Sequence, residues 1–332
     1  MRVGRGACRT ALLALTVAGG VFTAPEAHSQ DKPKIARIGW LSAGTARVDD
    51  TYFVALQSGL RELGYIEGQN VVFERRWAGG VAAQLPVLAA ELVRLKVDVL
   101  CTTGTPASMA AKSATTTIPI VFAAVAFPDQ SGLVASYPHP GGNITGVAFV
   151  GGEYGKRLEL LKQAVPKLRR MALIHNSDNR ASMFALEETQ RWAKTLNVTI
   201  EPHSLRSPQD LNSTLDAIAR SRPDALMTTA DSFILSYHAP IVEFAAKRRL
   251  PSIFPDRQFV DAGGLMFYGG SIPDMYKRAA IYVDRILKGA KPLDLPVEQP
   301  VKFDLVINLG TARKLGLTIP RSVLQRADQL IE

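Results

Sequence analysis

The sequence places hydroxyl and carboxylate side chains directly after predicted buried strands. In the first half of the chain these are Thr103 and Thr105, on either side of Gly104, and in the second half they are Asp231 and Asp256. Hydroxyls and the free amides at a helix start can hold a carboxylate, whereas a desolvated aspartate can pair with an ammonium group. This division predicts a site for a zwitterion, and we expect an α-amino acid with an apolar or aromatic side chain.

The full set of candidates follows from one rule, that ligands of parallel α/β sheets bind just beyond the carboxyl ends of the strands. Phe127 and Phe254 would supply an apolar wall to such a site. The candidate ligand-binding residues are Ser42, Thr103, Gly104, Thr105, Val125, Phe127, Asn176, Asp231, Phe254, Asp256 and Tyr268.

Ordinary structural roles remain open for several of these residues. Ser42 and Thr103 could satisfy backbone groups at strand ends, and Asp231 could serve only as a helix cap. Phe127 and Phe254 could equally belong to the core, because buried aromatic rings stabilise cores well.

The elements that would position these residues alternate regularly between strand and helix. Predicted strands lie at residues 35–41, 71–74, 97–103, 118–122, 171–175, 198–200, 225–229 and 252–254. Amphipathic helices are predicted between them, the first beginning after an Asp49/Asp50 cap and ending at Gly64. This alternation predicts two doubly wound α/β lobes with parallel sheets and right-handed crossovers.

The last sixty residues predict that the chain passes between the lobes several times. A helix is predicted after a possible Asp274 cap and ends at Gly289, and a final strand covers residues 303–307. We therefore expect lobe 1 to contain residues 30–149 plus 271–297, and lobe 2 residues 150–270 plus 298–332. Several crossovers would form a hinge that lets the lobes close on a ligand.

The first 29 residues have the pattern of a cleavable signal peptide. Arg2, Arg5 and Arg9 precede an uncharged run over residues 10–24, and a small-x-small cleavage pattern follows at residues 27–29. The run is too short to span a membrane, so we expect the chain to be secreted and cleaved near Ser29. Removal of this segment leaves Cys101 as the single cysteine and excludes an internal disulfide.

Several function classes are disfavoured by the composition. The formal net charge is +9, but the basic residues are scattered and do not predict nucleic-acid binding. The five histidines lack metal-ligand spacing, and the chain has no G-x-S-x-G, H-E-x-x-H or Walker motif. We therefore expect no metal, no cofactor and no catalytic activity.

Five segments carry a resemblance that extends over nearly all of the mature chain. They are residues 59–65 (GLRELGY), 90–93 (AELV), 104–107 (GTPA), 132–146 (GLVAS through PGGNITG) and 302–309 (KFDLVINL). In these segments the chain resembles the ABC transporter substrate-binding family associated with tryptophan and tyrosine uptake. The resemblance implies a type I periplasmic binding protein fold, export to the periplasm and delivery of a small solute to an ABC permease in the inner membrane. It does not identify the solute.

Two other functions stay open at this point, and we expect a monomer in each case. A periplasmic sensor that presents its ligand-closed surface to a membrane receptor would have the same sequence features. A cleft enzyme is the weaker alternative, and a catalytic carboxylate in the cleft would be its mark.

Overall fold

The computed structural model describes Met1, Gly4 and residues 35–149 and 153–332. Apart from Met1 and Gly4, the predicted signal peptide lies outside the described residues. So do residues 150–152, where one crossover between the lobes is expected. No helix in the described ranges is long and apolar enough to cross a membrane. All elements named below belong to the unit Ile35–Glu332.

The described elements alternate between strand and helix over most of the chain. The strands are β1 (Ala36–Ser42), β2 (Val71–Trp77), β3 (Val99–Thr103), β4 (Ile120–Val125), β5 (Ile144–Ala148), β6 (Arg170–His175), β7 (Thr199–Ser204), β8 (Ala225–Thr228), β9 (Ser252–Phe254), β10 (Met266–Gly269), β11 (Asp304–Asn308) and β12 (Gln329–Ile331). The helices are α1 (Ala46–Glu62), α2 (Leu85–Arg94), α3 (Gly104–Ala114), α4 (Glu153–Ala164), α5 (Arg180–Thr195), α6 (Asp210–Ser221), α7 (Ser232–Leu235), α8 (His238–Lys247), α9 (Arg257–Asp261), α10 (Ile272–Leu287), α11 (Leu309–Leu315) and α12 (Arg321–Leu324). Short 3₁₀ turns cover Ala82–Gln84 and Pro292–Asp294.

Two separate sheets confirm the predicted two-lobed α/β fold. The first has the order β2-β1-β3-β4-β5 and all its strands are parallel. The second has the order β12-β11-β10-β9-β8-β6-β7. Its strands are parallel except for β10 and β11, which pair antiparallel. The second sheet is thus mixed, because β11 enters it after the chain has visited the first lobe.

Helix α10 belongs to the first lobe although it follows β10 of the second sheet. It packs along α1, where Gly59 allows close approach: a Cβ at this position would lie 2.8 Å from Cβ of Ala280. The buried Trp40 of β1 lies beneath both helices, with its ring 5.4 Å from Phe53 and 5.5 Å from Tyr276. The exact lobe boundaries given above stay a prediction.

Two predicted helix starts are wrong by a few residues. Helix α1 begins at Ala46, before the Asp49/Asp50 pair that was expected to cap it. Helix α10 is capped by Ser271, whose Oγ accepts a hydrogen bond from the backbone amide of Asp274. Asp274 therefore lies in the first turn, where its charge favours the helix dipole.

Candidate ligand-binding site

A cavity lies between the two lobes, at the carboxyl ends of both sheets. Its lining combines the loops after β1, β2, β3 and β4 with the loops after β6, β8 and β9. The volume of the cavity that is open to the centres of water molecules is about 50 Å³. Since one water needs roughly 10–15 Å³ of such space, the cavity holds a few waters in this state.

Asp231 is a partly buried carboxylate in this cavity that accepts four hydrogen bonds. Its Oδ1 accepts from the backbone amides of Phe233 and Ile234, both at 2.9 Å, and thereby caps α7. Its Oδ2 accepts from Nδ2 of Asn179 at 2.8 Å and Nδ2 of Asn176 at 3.2 Å. The cap that the sequence left open as an alternative role is therefore present, and it uses only one of the two carboxylate oxygens.

The two asparagines are fixed in the orientation that presents their nitrogens to Asp231. The side-chain oxygen of Asn176 accepts from the amide of Asp178 at 3.0 Å, and that of Asn179 accepts from the amide of Ala181 at 3.1 Å. With four donors directed at it, the Asp231 side chain acts purely as an acceptor, which is the behaviour of an ionised carboxylate. Burial raises the pKa of Asp231, and the hydrogen bonds from Asn179 and its other donors oppose that rise.

Asp256 is the second carboxylate of the cavity, and it is bonded across the lobes. The hydroxyl of Tyr52, on α1, donates to Oδ2 of Asp256, which lies at the start of α9. The other carboxylate oxygen accepts from the backbone amide of Gln258 at 2.8 Å, and Nε2 of Gln258 donates to the Tyr52 hydroxyl at 3.0 Å. Burial raises the pKa of both Asp256 and Tyr52. Among the described residues, neither Asp231 nor Asp256 takes part in an ion pair.

The start of α3 forms the opposite wall. Gly104 has φ +67°, and a Cβ there would lie 2.9 Å from Oγ of Ser232 in lobe 2, so the lobes meet at this point. Thr103, at the N-cap position, makes no side-chain hydrogen bond to the helix amides. The first amides of α3 therefore remain available to an anionic group.

Aromatic rings from both lobes complete the lining. Tyr52 and Tyr276 stack on each other with ring centroids 5.2 Å apart, and Phe149 lies at the end of β5. Phe233 and Phe259 come from the first turns of α7 and α9. The wall is thus suited to a flat apolar group.

Five of the residues predicted from sequence line the cavity together: Gly104, Thr105, Asn176, Asp231 and Asp256. Ser42 and Thr103 lie behind the lining instead. They are fully buried, the Thr103 hydroxyl donates to Oγ of Ser42 at 2.7 Å, and Ser42 in turn accepts from the amide of Gly44 at 3.0 Å. In this structure they hold the ends of β1 and β3 in place.

Val125 and Phe127 also lie outside the lining, whereas their neighbours Ala124 and Ala126 are part of it. The reason is a bulge at Ala124, which has φ +53° and shifts the register between β4 and β5. Phe127 packs its ring 6.2 Å from that of Tyr154 instead.

Phe254 and Tyr268 are likewise engaged away from the cavity. The ring of Phe254 is fully buried and stacks on Phe259 at 4.3 Å. The ring of Tyr268 stacks on Phe303 at 6.0 Å, and its carbonyl accepts from Nε of Arg157 at 2.7 Å.

Residues that the sequence reasoning missed come mainly from helices. They include Tyr52, Asn179, Phe233, Phe259 and Tyr276. In a parallel α/β sheet each helix starts at the edge where the preceding strand ends, so first-turn residues face the same crevice as the loops. Applied to helices as well as loops, the strand-end rule would have found Asn179, Phe233 and Phe259.

Comparison with known proteins gives consistent matches. A family model described as "ABC transporter substrate binding protein" matches residues 49–331. A curated tyrosine-binding protein of Clostridioides difficile (strain R20291) is 26% identical over 261 residues, which cover 78% of this chain and 74% of the relative.

Two solved structures are similar over nearly the whole chain. A conserved domain protein from Vibrio cholerae has a TM-score of 0.85 at 29% identity, covering 90% of this chain and 100% of its own. The ABC domain in complex with L-Trp from Streptococcus pneumoniae has a TM-score of 0.83 at 29% identity, covering 89% of this chain and 99% of its own.

Proposed function

Because this chain belongs to the ABC transporter substrate-binding protein family, we propose that its solute is an α-amino acid with an apolar or aromatic side chain. Members of this family bind a small solute and deliver it to an ABC permease. The curated relative is named for tyrosine and a solved relative holds L-Trp, which supports this choice of solute class.

The observation that carries the proposal is the Asp231 carboxylate, which accepts hydrogen bonds from four neutral donors and has no cationic partner among the described residues. A buried carboxylate is costly to leave without a counter-charge. The ammonium group of an amino acid would supply that charge. The adjacent lobe wall offers the amides at the start of α3, which suit the carboxylate of the same ligand.

In this arrangement the side chain of the solute would extend towards the rings of Tyr52, Phe259 and Tyr276. The solute binds one open lobe first and then contacts both. Since its contacts to the second lobe form only on closure, the solute stabilises the closed form, which the permease then recognises. We propose that the N-terminal segment exports the chain to the periplasm, where it acts as a monomer.

We also propose that the cavity performs no reaction on the solute. In this proposal Asp231 pairs with the ammonium group of the solute and Asp256 holds the Tyr52 hydroxyl, so both carboxylates have binding roles. Mass spectrometry of the solute recovered after prolonged incubation should find it unchanged, and a time-dependent product would establish an enzyme.

The experiment that tests the solute class compares L-phenylalanine with its two halves. Calorimetric titration of the dialysed protein should give strong binding for L-phenylalanine only. We expect 3-phenylpropionate, which lacks the ammonium group, and phenethylamine, which lacks the carboxylate, to bind at least about a hundredfold more weakly, because each leaves buried polar groups unpaired. Equal affinity for 3-phenylpropionate and L-phenylalanine would refute the pairing with Asp231.

A further inference from the structure

A second chamber lies next to the cavity, at the ends of β9, β10 and β11. It has a volume of about 250 Å³ and is bounded by the crossover at residues 270–273, where the chain returns to lobe 1. Tyr52, Asp256 and Ile272 line both spaces and are the residues that separate them. The interlobe gap thus consists of two compartments that share one wall.

Tyr52 is the central part of this wall. Its side chain is buried, and its ring is held on one side by stacking on Tyr276, with an angle of 13° between the planes. Its hydroxyl is held on the other side by Asp256 and Gln258 of lobe 2. A side chain fixed by contacts with both lobes can move aside only at the expense of those contacts.

The chamber behind the wall is acidic. Among the described residues, Asp256, Asp261 and Asp304 line it together with one cation, Arg257. Nε of Arg257 lies 3.1 Å from Oδ1 of Asp261, and its Nη1 donates to Gln329 at 2.6 Å, so this guanidinium is already engaged. Lys302, whose Nζ is 2.8 Å from Oδ1 of Asp304, has a largely exposed side chain. Asp261 and Asp304 thus have cationic partners, whereas Asp256 has none among the described residues, so a positively charged group entering the chamber would find an acceptor in Asp256.

We propose that Tyr52 determines the specificity of the site by limiting the length of the solute. With the Tyr52 ring in place, a solute ends at the wall, and without it the two compartments join and accept an amino acid whose side chain carries an additional, positively charged extension. This inference rests on the proposed function, because it assumes that the side chain of a bound amino acid points towards Tyr52.

The test uses wild type and Tyr52→Ala with three probes: L-tyrosine, O-(2-aminoethyl)-L-tyrosine and O-propyl-L-tyrosine. The last two have extensions of equal length that differ in charge. Wild type should bind L-tyrosine and reject both extended probes. Tyr52→Ala should bind L-tyrosine more weakly but gain at least about tenfold in affinity for the aminoethyl probe, and prefer it to the propyl probe, since the chamber offers acceptors to an ammonium group.

Two further variants separate the wall from general effects on stability. Tyr52→Phe keeps the ring and removes the hydroxyl, so it should still reject both extended probes. Tyr65→Ala removes another tyrosine whose hydroxyl donates to an aspartate, Asp284, at 3.0 Å, but outside the cavity. It should bind all three probes as wild type does.

The possible failures are distinguishable. If wild type binds L-tyrosine but Tyr52→Ala gains no affinity for the extended probes, the length limit is wrong and the proposed function stands. If wild type binds the extended probes as strongly as L-tyrosine, the length limit is also wrong and the proposed function again stands. If wild type binds no amino acid, the proposed function and the length limit are both overturned.

Discussion

The two lobes are built on the same plan but present different chemistry to the cavity. The described lining residues from lobe 1, including α10, carry no charged side chain. Lobe 2 contributes Asp231 and Asp256 together with Arg206 and the side-chain amides of Asn176 and Asn179. Similar sheets therefore supply opposite halves of one recognition site.

The difference can be traced to how the helices begin. In lobe 2, α5, α7 and α9 are capped by Asn179, Asp231 and Asp256, so the side chains of their own caps occupy amides at these helix starts. In lobe 1, α3 begins without a side-chain cap. Lobe 1 thus offers the positive end of a helix, whereas lobe 2 offers carboxylates. A zwitterion satisfies both only when the lobes are closed, which couples binding to closure.

The largest expected effect comes from removing the charge that distinguishes lobe 2. Asp231→Ala should weaken binding of L-phenylalanine at least about a hundredfold, because it removes the partner of a buried ammonium group. The same variant should lose the preference for L-phenylalanine over 3-phenylpropionate. Titration calorimetry with both compounds measures this preference, which a loss of stability alone would not change.

Asp224→Ala is the matched control for this variant. Asp224 also lies in lobe 2, and its carboxylate accepts from the backbone amides of Arg169 and Arg170, both at 2.8 Å, but it does not line the cavity. It should lose stability and keep wild-type affinity. If Asp231→Ala still preferred L-phenylalanine to 3-phenylpropionate, Asp231 of lobe 2 would not bind the ammonium group.

A smaller effect is expected from obstructing the uncharged side in lobe 1. Gly104→Ala would place a methyl group 2.9 Å from Oγ of Ser232 in the closed form. We expect affinity for L-phenylalanine to fall about tenfold, because the lobes can no longer approach fully while the start of α3 must also shift. Binding is measured by titration and closure by small-angle scattering with and without the amino acid.

Gly132→Ala controls for the backbone cost of that substitution. Gly132 also lies in lobe 1 and has φ +76°, but no atom of the described residues lies within 4 Å of a Cβ built there. Both variants should lose about 1 kcal/mol of stability, because alanine resists positive φ. Equal affinities of the two variants for L-phenylalanine would mean that contact between Gly104 and lobe 2 is unimportant for closure.

The sequence predicted the lobes and the edge of the site better than the individual lining residues. The alternation of strands and helices determines which edge of each sheet is the crevice, so Gly104, Asn176 and Asp231 were found from position alone. Side-chain direction at a strand end depends on local backbone geometry. The positive φ of Ala124 reverses the expected direction of Val125, and no sequence signal marks this bulge.

Contacts between lobes were the part that could not be predicted. Tyr52 and Asp256 are 204 residues apart, and their hydrogen bond depends on the angle at which the lobes close. Similarly, the sequence indicates polar groups at Ser42 and Thr103 but not whether they face the solute or each other. Either orientation of Ser42 and Thr103 is compatible with the rule that ligands bind just beyond the carboxyl ends of the strands.

The smallest expected effect concerns pH, and it should also arise from lobe 2. His175 ends β6 and His203 lies on the neighbouring strand β7. Burial lowers the pKa of both imidazoles; the charge of His203 adds to the effect on His175, and Glu201 opposes it at His203. The folded state then binds fewer protons than the unfolded state, so this contribution is complete above the unfolded pKa of about 6.5 and is lost as the pH falls through the lower folded value.

Urea unfolding between pH 8 and pH 5 measures this contribution. His175→Gln should make the stability of the protein less dependent on pH over that interval, whereas His139→Gln, which removes an exposed imidazole of lobe 1, should leave the dependence as in wild type. Asp231 and Asp256 have raised pKa values and act in the opposite direction, because a carboxyl that holds its proton longer in the folded state favours folding at low pH. Both aspartates are present in wild type and in His175→Gln, so subtracting the two stabilities at each pH removes the contribution of the aspartates. The opposite result would be an unaltered pH dependence in His175→Gln and a reduced one in His139→Gln. It would mean that the pH dependence of stability arises from lobe 1 and not from lobe 2.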